Sequence, residues 1–184
     1  MAETKSNAVR LGTQAPDFKL QDVVSGKMKS LAELKSKKGT VVMFICNHCP
    51  YVKHIQRELV HVAQQYQTKG ISFIAINAND VENYPEDSPE NMKQTALEFK
   101  YPFVYLFDES QRVAKAYDAA CTPDFYIYDG DLKLAYHGQF DDARPKNSVS
   151  VTGKDLCQAL DNLLSQKPVT KDQRPSIGCN IKWK

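Results

Sequence analysis

The pattern of apolar and polar positions predicts strands that alternate with helices. Residues 40–45 form a continuous apolar run after Thr40, which is typical of a strand buried on both faces. Over residues 49–69 the apolar positions recur with helical spacing, and a second apolar run follows at 71–76. The sequence therefore predicts a β-α-β unit, whose crossover we expect to be right-handed.

Local signals predict further elements around this unit. Phe18-Lys19-Leu20 followed by the turn Ser25-Gly26-Lys27 predicts an opening hairpin. Ser88 followed by Pro89 predicts a helix start, with Ser as the N-cap and Pro at the first helical position. Thr152 and Asp155 have the spacing of a capping box and predict the start of a last helix.

Length and charge predict one domain without affinity for nucleic acid or a membrane surface. The chain has 184 residues and a net charge of +2, and its basic and acidic residues are interspersed. We expect a single domain over 1–184, with a core at about 11–165 and a polar C-terminal tail at 166–184. The N-terminus lacks the apolar core of a signal peptide, so we expect the cytoplasm, where five cysteines do not form a disulfide framework.

The candidate chemistry is concentrated in the motif Cys46-Asn47-His48-Cys49. It lies between the first apolar run and the helix that follows. The two cysteines are three residues apart, about one helical turn, and this spacing allows a disulfide. The amides at a helix start favour a thiolate over a thiol. The motif therefore indicates a redox dithiol.

Several motifs together resemble the thioredoxin-like superfamily. Ala15-Pro16-Asp17-Phe18 precedes the hairpin, Pro50 follows the CxxC motif, and Thr122-Pro123 resembles the cis-proline of thioredoxin. The combination is similar to the AhpC/TSA peroxiredoxin-like proteins that carry a CxxC motif, and the ending at 178–184 also resembles that group. The resemblance implies a thioredoxin-like α/β fold, with a central mixed sheet flanked by helices and an N-terminal hairpin extension.

The same resemblance implies thiol-disulfide exchange and suggests a role for each residue of the motif. We expect Cys46 to be exposed, to have the lower pKa and to attack, and Cys49 to be the buried resolving thiol. His48 would lower the Cys46 pKa, with Asn47 beside it in the turn. The expected substrate is a protein or low-molecular-weight thiol or disulfide, and no cofactor or metal is expected.

Thr122 and Pro123 are the expected substrate-binding residues. In this interpretation the Thr122-Pro123 bond is cis, and it leaves the Thr122 backbone free to pair with a substrate chain as an added strand.

Peroxide reduction is the first alternative. A peroxiredoxin binds peroxide with the motif Pro-x-x-x-Thr-x-x-Cys. If Cys49 took the peroxidatic place, Val42 and Cys46 would replace the Pro and Thr; if Cys46 took it, Gly39 and Met43 would replace them. Neither register keeps the motif, so the sequence favours thiol-disulfide exchange over the reduction of peroxide.

Metal binding is the alternative from another class. Copper chaperones on this fold use two cysteines and a distant histidine, and His137 is the candidate for that histidine. A structural zinc site usually joins a CxxC to a second close pair of ligands. The remaining cysteines are far apart in sequence: Cys121, Cys157 and Cys179. The spacing therefore favours redox chemistry over copper or zinc.

Two further cysteines are candidate redox thiols. Cys121 precedes the Thr122-Pro123 loop and is either a third redox thiol or an apolar filler. Cys179 lies on a tail that looks mobile, from which it is either a resolving thiol or incidental. Cys157 is expected to pack on a helix. The acidic residues at 80–90 and 141–142 are expected to be solvated loop charges.

Overall fold

A seven-stranded mixed sheet forms the centre of the protein in a computed structural model that describes residues 3–184. The strands are β1 (Glu3–Lys5), β2 (Lys19–Asp22), β3 (Met28–Ser30), β4 (Thr40–Phe44), β5 (Ser72–Asn77), β6 (Val104–Phe107), β7 (Cys121–Thr122), β8 (Asp124–Tyr128), β9 (Leu134–Gly138) and β10 (Ile177–Asn180). The helices are α1 (Leu31–Leu34), α2 (Pro50–Gln67), α3 (Pro89–Glu98), α4 (Arg112–Ala116) and α5 (Lys154–Leu164), and a 3₁₀ turn covers Pro85–Asp87. The order of the large sheet is β3-β2-β6-β5-β4-β8-β9, and β4, β5 and β6 are parallel.

Strand β4 lies inside the sheet and is buried on both faces. Val41 and Met43 pack on the side of α2, α3 and α5, whereas Val42 and Phe44 pack on the side of α1 and α4. Successive side chains of a strand point to opposite faces, so a strand covered on both sides has an unbroken apolar sequence. The predicted strand is confirmed, and its carboxyl end delivers the CxxC motif to the start of α2.

Helix α2 confirms the predicted β-α-β unit. Cys49 is its N-cap residue and Pro50 its first residue. The predicted face is buried and consists of Ile55, Leu59, Val62 and Tyr66. The opening hairpin is confirmed as the antiparallel pair β2 and β3. Within residues 3–184, no helix combines the length and apolar character that crossing a bilayer requires.

The start of α5 differs from the predicted capping box. Its N-cap is Gly153, with φ of 65°, and the Thr152 hydroxyl accepts the Lys154 N–H at 3.3 Å in place of the predicted bond with Asp155. The Asp141 carboxylate accepts hydrogen bonds from the backbone N–H groups of Thr152 and Gly153, both at 2.7 Å. Asp141 is 1% exposed, so the expectation of a solvated charge was wrong there. Asp141 thus fixes the turn before the helix, while the Phe140 carbonyl oxygen accepts the N–H groups of Asp155 and Leu156.

The C-terminal segment is not the mobile polar tail that the sequence suggested. Strand β10 is the middle strand of a second sheet, of order β1-β10-β7. Gly178, Cys179 and Ile181 are buried. Beyond the strand, the Asn79 side chain accepts the Lys182 N–H at 2.9 Å. The segment is therefore fixed against the carboxyl end of the large sheet, and the single-domain organisation stays a prediction.

Candidate functional site

Three cysteine sulfurs meet where β4 ends and α2 begins. Cys49 Sγ lies 2.8 Å from Cys179 Sγ. Cys46 Sγ also lies 3.2 Å from Thr122 Oγ1. In its thiol form, Cys49 donates to the Thr122 carbonyl oxygen at 3.2 Å. Cys49 is thus the central sulfur of the cluster, and all three cysteines are free thiols.

Cys46 is not the exposed, acidic thiol that the sequence suggested. It is 2% exposed and Cys49 is 0% exposed, so both sulfurs are shielded from solvent. Burial, a hydrogen bond with Cys49 and the negative charge of Asp87 all raise the pKa of Cys46. Removing water from around a thiol penalises the charged form.

The thiolate is instead favoured at Cys49. Hydrogen bonds from the Cys179 and Cys46 thiols lower the pKa of Cys49, and the backbone N–H of Val52 adds to them, while burial acts in the opposite direction. Cys49 is also the N-cap of α2, where the helix dipole stabilises a negative charge. The same Cys49 contact raises the pKa of Cys179.

Thr122, one of the two residues expected to bind substrate, contacts the dithiol directly. The Thr122-Pro123 bond is cis, as the resemblance implies. Thr122 contacts Cys46 through its hydroxyl and Cys49 through its carbonyl. The Thr122 backbone is paired with Cys179 in antiparallel register between β7 and β10. The edge assigned to a substrate strand is therefore occupied by the protein's own C-terminal strand in this structure.

His48 is held by Asp87, a residue that the sequence analysis assigned to a solvated loop. The His48 Nδ1–H donates to Asp87 Oδ2 at 2.6 Å, and the His48 ring stacks on Tyr84. Asp87 is 0% exposed, so the expectation of a solvated charge was wrong here too. The order of the strands could have indicated this contact. The segment with Asp87 follows β5, which is parallel to β4, so the carboxyl ends of the two strands lie at the same edge of the sheet.

Hydrogen bonds to three neighbours fix Asn47 in the turn. Its backbone N–H donates to Asp87 Oδ1 at 2.7 Å, and its side-chain amide donates to the Glu86 carbonyl at 3.0 Å. The Asn47 side-chain oxygen accepts from the Tyr105 hydroxyl at 3.2 Å. Asn47 and His48 also line an open groove of about 600 Å³ between α2 and α3. The motif therefore has one face on the sulfur cluster and one on this groove.

The two remaining cysteines differ in distance from the site. Cys121 is buried, and its sulfur lies 3.8 Å from the Pro123 carbonyl oxygen. Burial is the main cause that raises the Cys121 pKa. Cys157 is half-buried on α5. Its carbonyl oxygen accepts a hydrogen bond from the hydroxyl of Tyr66, which lies near the C-terminal end of α2. Whether Cys121 takes part in redox chemistry stays a prediction.

The geometry does not bring His137 to the dithiol as a metal ligand. Its Nε2 lies 3.1 Å from Asp124 Oδ1, and its ring stacks on Tyr126. Within residues 3–184, the one group of three candidate ligands is Cys46, His48 and Asp87. Each Asp87 oxygen already accepts two hydrogen bonds. The Asp87 carboxylate is therefore committed to holding the turn.

Solved structures similar to this one confirm the predicted fold. An uncharacterized conserved protein from Geobacillus kaustophilus is 60% identical, with a TM-score of 0.98 over 100% of this chain and 97% of that one. The thioredoxin domain of a thiol-disulfide oxidoreductase from Bacteroides vulgatus is 17% identical, with a TM-score of 0.63 over 83% of this chain and 99% of that one. The fold is thioredoxin-like, with a central mixed sheet flanked by helices.

Sequence comparison gives the family. The thiol-disulfide oxidoreductase ResA of Geobacillus thermodenitrificans is 26% identical over 134 residues, which cover 71% of this chain and 70% of that protein. Residues 11–137 match the AhpC/TSA family, and this match spans most of the chain. The chain belongs to the AhpC/TSA family.

Proposed function

We propose that this protein is a thiol-disulfide oxidoreductase whose redox centre is Cys46 and Cys49. The observation that carries the proposal is the pair of free thiols at the seam of β4 and α2, which both contact Thr122, beside a cis peptide bond at Thr122-Pro123. A thiolate is the nucleophile in exchange with disulfides. The similarity to a ResA oxidoreductase supports the same chemistry.

In the proposed reaction Cys49 attacks and Cys46 resolves. The Cys49 thiolate attacks one sulfur of a substrate disulfide, forms a mixed disulfide and releases the first substrate thiolate. Cys46 then gives up its proton and attacks Cys49 Sγ, which forms the Cys46–Cys49 disulfide and releases the second substrate thiol. This order reverses the one suggested by the sequence, because the hydrogen bonds in the cluster favour a thiolate at Cys49.

Substrate access requires a local opening, since neither sulfur is exposed by more than 2%. The groove lined by Asn47 and His48 is an open surface next to the dithiol in sequence, and Thr122 is the backbone edge beside the sulfurs. We propose a protein or low-molecular-weight disulfide as the substrate, with Thr122 and Pro123 as its contacts. Asn47 and His48 are proposed to tune the dithiol through the turn that they form.

The experiment counts the thiols released from an aromatic disulfide by the reduced protein. All variants carry Cys157→Ser, because that half-buried thiol would add its own reaction. We expect two substrate thiols per dithiol in the parent protein and no fast release in Cys49→Ser. A fast reaction of Cys49→Ser that is lost in Cys46→Ser would reverse the assigned order. A parent protein that forms no internal disulfide would refute the proposed function.

The alternatives are tested with the same protein. The reduced protein is also treated with one equivalent of peroxide. Loss of two protein thiols at the rate seen with the aromatic disulfide would support a thiol peroxidase, in which a sulfenate forms before the disulfide. Metal analysis after purification under reducing conditions tests copper or zinc binding. The cytoplasm stays a prediction for the location, and cell fractionation tests it.

A further inference from the structure

Strand β10 places Cys179 beside Cys49, whose sulfur takes part in both steps of the proposed reaction. Cys179 Sγ lies 2.8 Å from Cys49 Sγ, and Cys179 is 2% exposed. Its backbone is opposite Thr122 in the β7–β10 pair, which is the edge where a substrate cysteine is proposed to bind. The C-terminal strand thus presents a thiol to Cys49 as a substrate chain would.

The position of Cys179 is fixed by contacts on both sides of β10. A Cβ added to Gly178 would overlap the Thr122 carbonyl oxygen, so the glycine allows the strand to lie directly on the loop. On its other edge, β10 pairs with β1, where Cys179 is opposite Glu3. After the strand, the Lys182 carbonyl accepts the Asp80 N–H at 2.8 Å. These contacts hold the third thiol in reach of the dithiol.

We propose that Cys179 is a third catalytic thiol, which attacks Cys49 and forms a Cys49–Cys179 disulfide. The inference deepens the proposed function and rests on it, because it requires Cys49 to be oxidised by a substrate disulfide first. The oxidised protein then holds its disulfide either within the CxxC motif or between the start of α2 and β10.

The step balances without another oxidant. After substrate has oxidised the dithiol, Cys179 loses its proton and attacks Cys49 Sγ. The Sγ–Sγ bond between Cys49 and Cys179 forms, the bond between Cys46 and Cys49 breaks, and Cys46 leaves as a thiolate that takes up a proton. The protein stays oxidised by two electrons. From a mixed disulfide on Cys49, the same attack releases the substrate thiol instead.

Charge favours this attack in the oxidised protein. The hydrogen bond with Cys49 is the first cause of the raised Cys179 pKa in the reduced protein, followed by burial. Once Cys49 is part of a disulfide it has no thiolate, so this cause is removed. The positive charge of Lys182 lowers the Cys179 pKa and remains in place. Cys179 therefore becomes a better nucleophile when Cys49 becomes its electrophile.

Cys121 is the competing thiol and serves as the control. It is opposite Asn180 in the β7–β10 register, one residue from the Thr122–Cys179 pair. Its sulfur contacts the Pro123 carbonyl oxygen, in contrast to the direct contact of Cys179 with Cys49. The geometry therefore makes Cys179 the candidate for the third redox thiol, and Cys121 a buried neighbour that does not contact Cys49 through its sulfur.

The first test maps the disulfides of the full chain without altering the three thiols. The reduced Cys157→Ser protein is oxidised with an aromatic disulfide, its free thiols are blocked in acid, and the digest is analysed by mass spectrometry. A linked pair of peptides containing Cys49 and Cys179 is expected beside the Cys46–Cys49 product. If two substrate thiols are released and only Cys46–Cys49 is found, the third thiol is refuted while the proposed function stands.

The second test removes Cys46 and counts released thiols. Cys46→Ser should release two substrate thiols and keep no adduct, because Cys179 resolves the mixed disulfide on Cys49. Cys46→Ser with Cys179→Ser should release one and retain the adduct, and Cys46→Ser with Cys121→Ser should behave like Cys46→Ser. A stable adduct on Cys46→Ser would overturn the proposal. If Cys46→Ser does not react at all, the map of the parent protein decides.

Discussion

His48 Nδ1 lies 2.6 Å from Asp87 Oδ2, and this pair joins the CxxC turn to the 3₁₀ turn before α3. Asp87 also accepts the backbone N–H of Asn47 and the side-chain amide of Asn79. Asn79 in turn accepts the Lys182 N–H. One buried carboxylate therefore links the redox motif to the segment that follows β10, and its removal should affect both stability and redox potential.

Asp87→Asn is expected to destabilise the protein at pH 7 and to reduce its sensitivity to acid. Burial opposes ionisation, but hydrogen bonds from His48 and Asn79 leave the pKa of Asp87 lowered. A carboxyl whose folded pKa is below its unfolded value stabilises the fold above about pH 4 and loses this contribution as pH falls through the folded pKa. Loss of a buried charged partner costs about 1–3 kcal/mol.

Urea unfolding at neutral and acid pH measures this effect. The wild-type protein should lose more free energy of unfolding than Asp87→Asn on going below about pH 4. Asp131→Asn, at an exposed loop, is the matched control and should resemble the wild type at both pH values. Equal acid sensitivity of wild type and Asp87→Asn would show that Asp87 is not the group that titrates.

The same carboxylate is expected to make the dithiol less oxidising. After burial and the Cys49 contact, the charge of Asp87 is the next cause of the raised Cys46 pKa. The carboxylate lies within 4.8 Å of Cys46 Sγ, so it repels the negative charge that the reduced dithiol carries and the disulfide does not. Asp87→Asn should therefore raise the reduction potential of Cys46–Cys49 by tens of millivolts, where about 30 mV is a tenfold change in the equilibrium constant. His48→Asn removes the ring that partners Asp87 and should lower the potential.

Equilibration of each protein with a glutathione redox buffer measures these potentials. The informative result is the opposite direction of the two shifts. If Asp87→Asn lowers the potential, its charge does not act on Cys46 in the expected sense. If His48→Asn leaves the potential unchanged, the tuning role proposed for His48 is wrong and the ring only positions the turn.

Gly178→Ala is expected to lift β10 from the Thr122 edge. The added Cβ would overlap the Thr122 carbonyl oxygen, and a backbone atom cannot move aside as a flexible side chain can. Faster amide exchange in 177–180 and faster alkylation of Cys46 and Cys49 in the native protein should follow. Gly26→Ala is the control for backbone strain alone, because φ at Gly26 is +70° and its added Cβ meets no atom within 4 Å, so it should lower stability without exposing β10. Unchanged exchange in β10 would contradict the close approach at Gly178.

Cys179→Ala is expected to raise the pKa of Cys49. The hydrogen bond from Cys179 is the largest cause that lowers this pKa, so its loss should move the ionisation of Cys49 to higher pH. The thiolate absorbance of the reduced protein, followed as pH is raised, measures the change. Cys121→Ala removes a buried thiol that does not donate to Cys49 and should titrate like the wild type. If the Cys49 pKa is the same in Cys179→Ala and in the wild type, the hydrogen bond from Cys179 does not stabilise the Cys49 thiolate, and the start of α2 does.

The sequence alone determined the elements that depend on neighbouring residues. The apolar run of β4, the helical spacing of α2 and the Ser88 cap of α3 are local patterns, and each was confirmed. The cysteine pair was placed at the seam of β4 and α2 for the same reason. A strand covered on both faces leaves an unbroken apolar run and a helix covered on one side leaves a periodic one, and both can be read without knowing the partner.

Only the tertiary structure decided which groups surround the sulfurs. Asp87 and Asp141 lie in polar segments that resemble solvated loops, yet each is buried because distant N–H groups converge on it. Cys179 is 130 residues from Cys49 in the chain and reaches it through the pairing of β10 with β7. Polar contacts between distant segments leave no periodic pattern, because a single side chain satisfies each of them. The contacts that bear on the ionisation of Cys46 and Cys49 are therefore set by the fold.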